Sequence, residues 1–327
     1  MRIVILGAGG VGSVIGAYLA RNGADVIMLA RPGHAAAVRQ HGLQVSGLAD
    51  FRTPVSSFAQ ATQIEAADIL LITVKTKDMQ SALAGVAHMR VGGAASLQNG
   101  MVKNDQIAQV FGRDTVVGAT TMIGAALRCD GEVEYTLDGI TFFGELDGRP
   151  SDRVAAIVRA FEEAGLKANG VTDIISVEWT KQAFQNPFAT LSAMTRLPMH
   201  RVWSSPQLAA LSVHMFREVA AVAKAKGVAL SEHPAWSLFD LEVMCHAPFG
   251  DAVTRLVEVG SSVEAGGRTH IIPSMLQDVL AGKKTEIDET VGYVCREGQR
   301  LGIPVPYTEF AYRSVKAIEE NFDARVS

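Results

Sequence analysis

The 327-residue chain predicts an α/β Rossmann-type N-terminal domain followed by an all-α C-terminal domain, and three observations carry that prediction. A short apolar strand from Arg2 runs into glycines at positions 7, 9 and 12 and then into a small-residue helix. Strand and helix signals alternate from there to about Ala168, as in a parallel sheet covered on both faces. Beyond Asn169 the strand signals nearly vanish. The expected boundary is therefore near residue 170, with domains over 1–170 and 171–327.

The opening segment, Gly7-Ala8-Gly9-Gly10-Val11-Gly12, reads as a dinucleotide-binding turn. Gly7 permits the tight exit from the strand. Gly9 removes the side chain that would block a pyrophosphate, and Gly12 lets the helix over Gly10–Arg21 pack on the sheet. The phosphates would sit at the positive helix N-terminus, and a strand over Asp25–Ala30 completes the βαβ unit. The same stretch, Ile3 to Ala20, is uncharged and could pass for a signal peptide or a membrane span. Its interrupting glycines and Tyr18 argue against both, and no other apolar run is long enough to cross a bilayer.

Further elements follow in order. A helix is expected around Ala35–His41, a buried parallel strand at Asp68–Val74, a helix at Met79–His88, a strand at Ala94–Leu97, a helix near Asp105–Phe111 and a strand at Val116–Met122. Glu132–Leu137 and Ile140–Gly144, joined by Asp138-Gly139, read as an antiparallel hairpin at the far sheet edge. A helix at Asp152–Ala164 and a short strand at Leu166–Ala168 close the domain. Helices are then expected over Ile175–Leu191, Pro206–Lys226, Trp236–Cys245, Ala252–Glu264, Ser274–Leu280, Glu286–Leu301 and Glu309–Phe322.

Composition narrows the function. A net charge of -4 gives no electrostatic reason to expect nucleic acid or an anionic membrane as partner. Cys129, Cys245 and Cys295 are far apart and outside any metal-ligand spacing, and the histidines are scattered, so no metal is expected. The cysteines read as reduced, half-buried thiols of a cytoplasmic protein.

Cofactor choice turns on the end of the second strand, where NAD-specific folds carry an acidic residue about 20 residues beyond the glycines. Arg31 holds that place, while Asp25 lies at the strand's other end, roughly 15 Å away at ~3.3 Å per residue. An arginine fork suits a 2'-phosphate, so NADP(H) is expected; the alternative is that Arg31 is a solvated strand-end charge.

From these residues onward the chain resembles the ketopantoate reductase (2-dehydropantoate 2-reductase) family. The likeness runs from the Gly7 turn through Val74-Lys75, Gln98-Asn99-Gly100, Trp179-Thr180-Lys181 and Ser274-Met275-Leu276-Gln277-Asp278. It continues to Thr285-Glu286-Ile287-Asp288 and Gly302-Ile303-Pro304-Val305-Pro306. The resemblance implies a substrate cleft between a Rossmann and a helical domain, and NADPH-dependent reduction of a small 2-oxo acid to a 2-hydroxy acid. Lys181 matches the catalytic lysine that polarises and then protonates the carbonyl, and Glu286 the glutamate that bonds the product hydroxyl. Ser274 matches the serine that binds the substrate carboxylate, and Lys75 and Asn99 lie near the cofactor ribose and the reacting centre.

Each residue also has a plainer reading. Lys181 taken alone is a solvated helix lysine, and Glu286 a first-turn helix carboxylate. Ser274 forms Ser-x-x-Gln with Gln277, a capping box, and Asn99 suits a turn.

The chain departs from the family pattern at three asparagine positions, where it carries Gln185, Ala189 and Ile271. Asn186 could restore one of these contacts, but it is one position out of phase, turned about 100° around a helix. These departures predict a more apolar or bulkier 2-oxo acid than ketopantoate. Other readings are a related hydroxyacid or opine-type dehydrogenase and a non-catalytic NADP(H) sensor. A homodimer is expected through the segment His233–His270, where Trp236, Leu238, Phe239, Leu241, Val243 and Met244 would form a symmetric apolar interface; the alternative is an intramolecular core helix.

Overall fold

The structure, a computed structural model, describes residues 1–233, 239–267 and 272–323. Within them the chain forms two compact units, one of Met1–Gln98 with Val102–Ile175, the other of Asn99–Met101 with Ser176–Ser327.

The first unit is built on an eight-stranded sheet. Its inner strands are β1 (Arg2–Leu6), β2 (Asp25–Leu29), β6 (Ala66–Ile72), β7 (Arg90–Ser96) and β8 (Val116–Thr121), with β5 (Ser56–Phe58) at one edge and β11 (Thr141–Glu145) and β12 (Ala168–Gly170) at the other. The order is β12-β11-β8-β7-β6-β1-β2-β5; β11 runs antiparallel to β8, and the pairs from β8 to β5 are parallel. Strand residues alternate between two cores, as a period of two requires. Ile3, Ile5, Ile69 and Leu71 face α1 (Gly10–Arg21) and α5 (Asp152–Glu163). Val4, Leu6, Leu70 and Ile72 face α3 (Met79–Ala84) and α4 (Lys103–Phe111).

A second sheet escaped the sequence reading. Its strands are β3 (Leu43–Gly47), β4 (Phe51–Thr53), β9 (Gly124–Cys129) and β10 (Glu132–Leu137), in the order β4-β3-β10-β9. It shares a core with α1, where Tyr18 meets the Tyr135 ring edge-on at 5.7 Å. The expected hairpin of Glu132–Leu137 with Ile140–Gly144 is thereby corrected. β10 pairs with β9 and β3, whereas β11 pairs with β8 and β12, so Asp138-Gly139 carries the chain from one sheet to the other. The Asp-Gly signal marks the break between two strands, but it holds no information about which strands pair. Gly139 is required because a Cβ there would collide with the Met122 carbonyl.

His34, on α2 (Pro32–His41), ties the β9–β10 turn of this second sheet to α1. Its side chain is buried, its Nδ1 accepts from the Gly131 N–H at 3.0 Å, and its Nε2 lies 3.3 Å from Ser13 Oγ on α1. Since Nδ1 accepts, the neutral ring carries its proton on Nε2 and donates to Ser13. Burial pushes the pKa of His34 below the usual range, against the opposing pull of Asp130.

The second unit is helical, with α6 (Ile174–Thr195) reaching into it from the first, then α7 (Met199–Ser204), α8 (Pro206–Ala225), α9 (Leu241–His246), α10 (Phe249–Ala265), α11 (Ser274–Leu280), α12 (Val291–Leu301) and α13 (Pro306–Glu320). The sequence reading missed α7. Its residues Val202 and Trp203 are buried, and Trp203 meets Phe188 of α6 edge-on at 5.4 Å. Among the described residues no helix is long and apolar enough to cross a membrane, and no three His, Cys, Asp or Glu side chains cluster as metal ligands would. Cys129 is exposed rather than half-buried, and Cys245 and Cys295 are partly buried.

Candidate active site

In the first unit Gly7 and Gly12 of the opening turn each have a separate steric reason. Gly7 has φ +104°, and a Cβ there would stand 2.6 Å from the Val74 nitrogen. A Cβ on Gly12 would stand 2.6 Å from the Gly7 carbonyl oxygen, which accepts from Thr73 Oγ1 at 2.6 Å. Gly9 differs, since nothing lies within 4 Å of the place its Cβ would occupy. That position opens onto a bare cradle. The α1 start has no side-chain cap and no acidic residue in its first turn. The first intrahelical bond runs from Ser13 N–H to the Gly9 carbonyl, so the N–H groups of Gly10, Val11 and Gly12 precede the helical ladder. Ala8 donates its N–H to the Leu29 carbonyl at 3.0 Å and so pins the turn to β2. A pyrophosphate fits this arrangement of open space and unclaimed helix-start donors.

Arg31 is exposed at the N-cap of α2. Asp25, at the far end of β2, is engaged by Arg2 at 2.8 Å. Lys75 is half-buried just after β6, and its carbonyl accepts from Asp78 N–H at 2.9 Å.

The second unit brings most of the other expected residues to one place. Lys181 is buried on α6, and its Nζ donates to Asn99 Oδ1 at 2.9 Å. Its neighbours anchor it. Trp179 is buried against Tyr293, and Thr180 Oγ1 accepts from Ser231 N–H at 2.9 Å while donating to the Ser176 carbonyl at 2.8 Å. Asn99 is followed by Gly100 at φ +91°, where a Cβ would stand 2.7 Å from the Glu289 carbonyl. The glycine of Gln-Asn-Gly therefore lets the Asn99 loop lie against the Glu286 turn.

Asn99, Gln185, Asn186, Ala189, Ser274 and Glu286 line one pocket. Glu286 is not a first-turn helix carboxylate as its plainer reading had it, because α12 begins only at Val291 and Glu286 lies in the preceding turn. That turn is fixed from α13. Glu319 accepts from Thr285 N–H and Thr285 Oγ1, each at 2.7 Å, and Thr285 Oγ1 accepts from Ile287 N–H at 3.1 Å. Asp288 accepts from Tyr312 at 2.7 Å and Lys316 at 2.8 Å. Burial alone would raise the Asp288 pKa, but these two donors outweigh it and hold the carboxyl below its usual range.

Ser274 is exposed at the first position of α11, and Pro273 is the N-cap. The expected capping box does not form. Gln277 instead donates to the Ile272 carbonyl at 3.0 Å, leaving the Ser274 side chain uninvolved in capping.

Asn186, which the sequence offered as able to restore one contact although one position out of phase, lines the same pocket as Gln185. Gln185 Oε1 and Asn186 Nδ2 are both buried without hydrogen-bond partners. Ala189, the second altered family position, packs into a core cluster with Met275 and Val279. Ile271, the third, lies outside the described residues. The pocket is thus only partly the apolar one that the replacements predicted.

Comparison with known proteins agrees along the whole chain. Residues 3–148 match the family model described as ketopantoate reductase PanE/ApbA, and residues 173–319 match its C-terminal model. A 2-dehydropantoate 2-reductase of Archaeoglobus fulgidus is 30% identical over 318 residues, covering 97% of this chain and 98% of the relative. Among solved structures, a PanE/ApbA family ketopantoate reductase from Ralstonia eutropha superposes with a TM-score of 0.82 at 26% identity, covering 99% of this chain and 100% of that one. A D-mandelate dehydrogenase solved with NADH and anilino(oxo)acetate reaches 0.83 at 21% identity, with the same coverage, and shows the shared fold. With both family models matched in order, and together spanning nearly all of its length, the chain belongs to the ketopantoate reductase family.

Proposed function

We propose that this protein reduces a 2-oxo acid to the 2-hydroxy acid with NADPH, in the manner of a ketopantoate reductase. The observation that carries the reading is the buried Lys181 bonded at 2.9 Å to Asn99, which lines one pocket with Ser274 and Glu286. A bound nicotinamide dinucleotide supplies the hydride, and the open cradle at Gly9 with the N–H groups of Gly10, Val11 and Gly12 would hold its pyrophosphate. The rest falls to the chain's own side chains. Lys181 donates to the carbonyl oxygen as negative charge develops there and then gives up the proton, which turns the ketone into an alcohol. Asn99 orients the Lys181 ammonium through its carbonyl oxygen. Glu286 accepts from the new hydroxyl, and Ser274, free of capping duty, donates to the substrate carboxylate. A mere NADP(H) sensor needs no such set of groups around a pocket.

For the cofactor, NADPH is supported by Arg31 at the end of β2 and by Asp25 being held by Arg2 at the opposite end. One observation favours NADH instead. The Asp130 carboxylate lies where a Cβ on Gly33 would be, in the first turn of α2, and an anion there repels a 2'-phosphate. The deciding experiment measures NADPH and NADH dissociation constants for the wild type, Arg31→Ala and Asp130→Ala, followed by oxidation of the preferred cofactor across a panel of 2-oxo acids. The expected result is NADPH preference that Arg31→Ala reduces and Asp130→Ala increases. An undiminished preference in Arg31→Ala would remove Arg31 from cofactor selection.

A further inference from the structure

Glu319, on α13, is a buried carboxylate that no step of the proposed reaction uses. It is 9% exposed; its Oε1 accepts from the Thr285 N–H and from Thr285 Oγ1 at 2.7 Å each, and its Oε2 lies 3.3 Å from the Lys316 ammonium. Burying a charged group is costly unless it is paired and hydrogen-bonded, so its place here calls for a reason. The bonds continue past Thr285. Its Oγ1, having donated to Glu319, accepts from the Ile287 N–H at 3.1 Å, so the residues on both sides of Glu286 hang from one carboxylate. The Glu286 carbonyl itself accepts from Thr290, from Oγ1 at 2.8 Å and from the N–H at 3.2 Å. A second support comes from the same face of α13, where Tyr312 and Lys316 donate to Asp288, and Lys316 joins Asp288 to Glu319. The backbone around Glu286 is thereby fixed before and after the one residue that lines the pocket.

We infer that Glu319 is a positioning residue for the reaction, acting through Thr285 to hold the Glu286 carboxylate where the new hydroxyl forms. This rests on the reductase reading, in which Glu286 accepts from that hydroxyl. Misplacing a group that serves the reacting atoms by about 1 Å costs about 100-fold in rate, and a turn bonded on both sides of one residue resists such a shift. The charge on Glu319 suits the task, because a carboxylate oxygen accepts two donors more strongly than a neutral amide does.

The test is a double-mutant cycle on the 2-oxo acid that the wild type reduces best. Glu319→Leu should lower kcat by about 10-fold or more with the cofactor dissociation constant unchanged, and should cost less than about twofold when Glu286→Ala is already present. Thr285→Val, which deletes the relay hydroxyl at nearly the same shape, takes the place of Glu319→Leu in the cycle if that variant's thermal melt shows misfolding. A loss of purely structural origin would be the same in both backgrounds, and an equal loss overturns the inference. Deuterium exchange in the peptide over residues 284–289 separates the positioning from the reaction, since either variant should speed it while leaving α6 as in the wild type. Should the wild type reduce no 2-oxo acid, the reductase reading fails, while faster exchange confined to the turn still upholds Glu319 as its anchor. Unchanged exchange overturns the inference in either case.

Discussion

Among the described residues two lysines are buried, and their surroundings separate a structural role from a chemical one. Lys103 is 1% exposed, and its ammonium donates to three backbone carbonyls, those of Ser96 and Gln98 at 3.2 Å each and that of Ala119. An ammonium has three donors, so this lysine staples the strand end ahead of Asn99. Lys181, 5% exposed, bonds instead to the Asn99 side chain, itself part of the pocket wall. Methionine keeps the length of the side chain without its charge or proton. Lys181→Met should therefore lower kcat by about 10² or more, with cofactor binding and the thermal melt retained. Near-normal turnover in that variant would exclude Lys181 as the proton donor. The sequence pointed to Lys181 through the motif around it, but Lys103 stands in no motif, and only its burial reveals its job.

Helices α1 and α2 and the second sheet meet at His34, which gives this part of the fold a pH dependence. The folded protein holds the imidazole neutral, with a pKa below the unfolded value of about 6.5. The unfolded chain consequently binds more protons between the folded pKa and pH 6.5, and stability rises with pH across that window. The contribution is complete above about pH 6.5 and is lost as pH falls toward the folded pKa. Thermal melts of the wild type should drop from pH 7.5 to 5.5, and His34→Leu, although less stable throughout, should show a shallower drop; equal slopes would assign the pH dependence to other groups.

The βαβ unit and the long helices were legible because each carries its own period and caps. The second sheet was not, because β4 has three residues and β3 five, too few for alternation to stand out. Glu286 was misread for a related reason. Ile287, Val291 and Val294 are all buried at near-helical spacing, but the turn pinned by Glu319 and Asp288 interrupts the helix before Val291. Helical phase likewise set Asn186 apart from Gln185, since a pocket broad enough to be lined by neighbours about 100° apart is visible only in the fold.

Self-association remains a proposal, and the structure moves the surface that would support it. Of the six residues named for an interface, Trp236 and Leu238 lie outside the described residues. Phe239 stacks on Phe184 at 4.6 Å and meets Trp203 edge-on at 5.0 Å, while Leu241 and Met244 are buried. Those three side chains belong to the helical unit's own core and cannot also face a second copy. A dimer needs apolar area elsewhere, and aromatic side chains are what interface centres favour. Phe310 is 64% exposed on α13, with Tyr307 one turn earlier on the same face. Tyr307 stacks on His214 at 4.1 Å, and His214 packs against the exposed Phe249 at 4.4 Å, which extends the aromatic surface. Glu309 and Arg313, paired at 2.6 Å, flank Phe310 with both signs of charge. A surface that is apolar at its centre and carries both charges beside it complements itself across a two-fold axis, where Arg313 of each copy can meet Glu309 of the other. The second copy of this chain is accordingly the partner proposed for this face. Light scattering at micromolar concentration should give the mass of a dimer, and Phe310→Lys should give that of a monomer with an unchanged melt measured at low concentration. A wild-type monomer rules out the homodimer, and a dimer that Phe310→Lys leaves intact moves the interface away from α13.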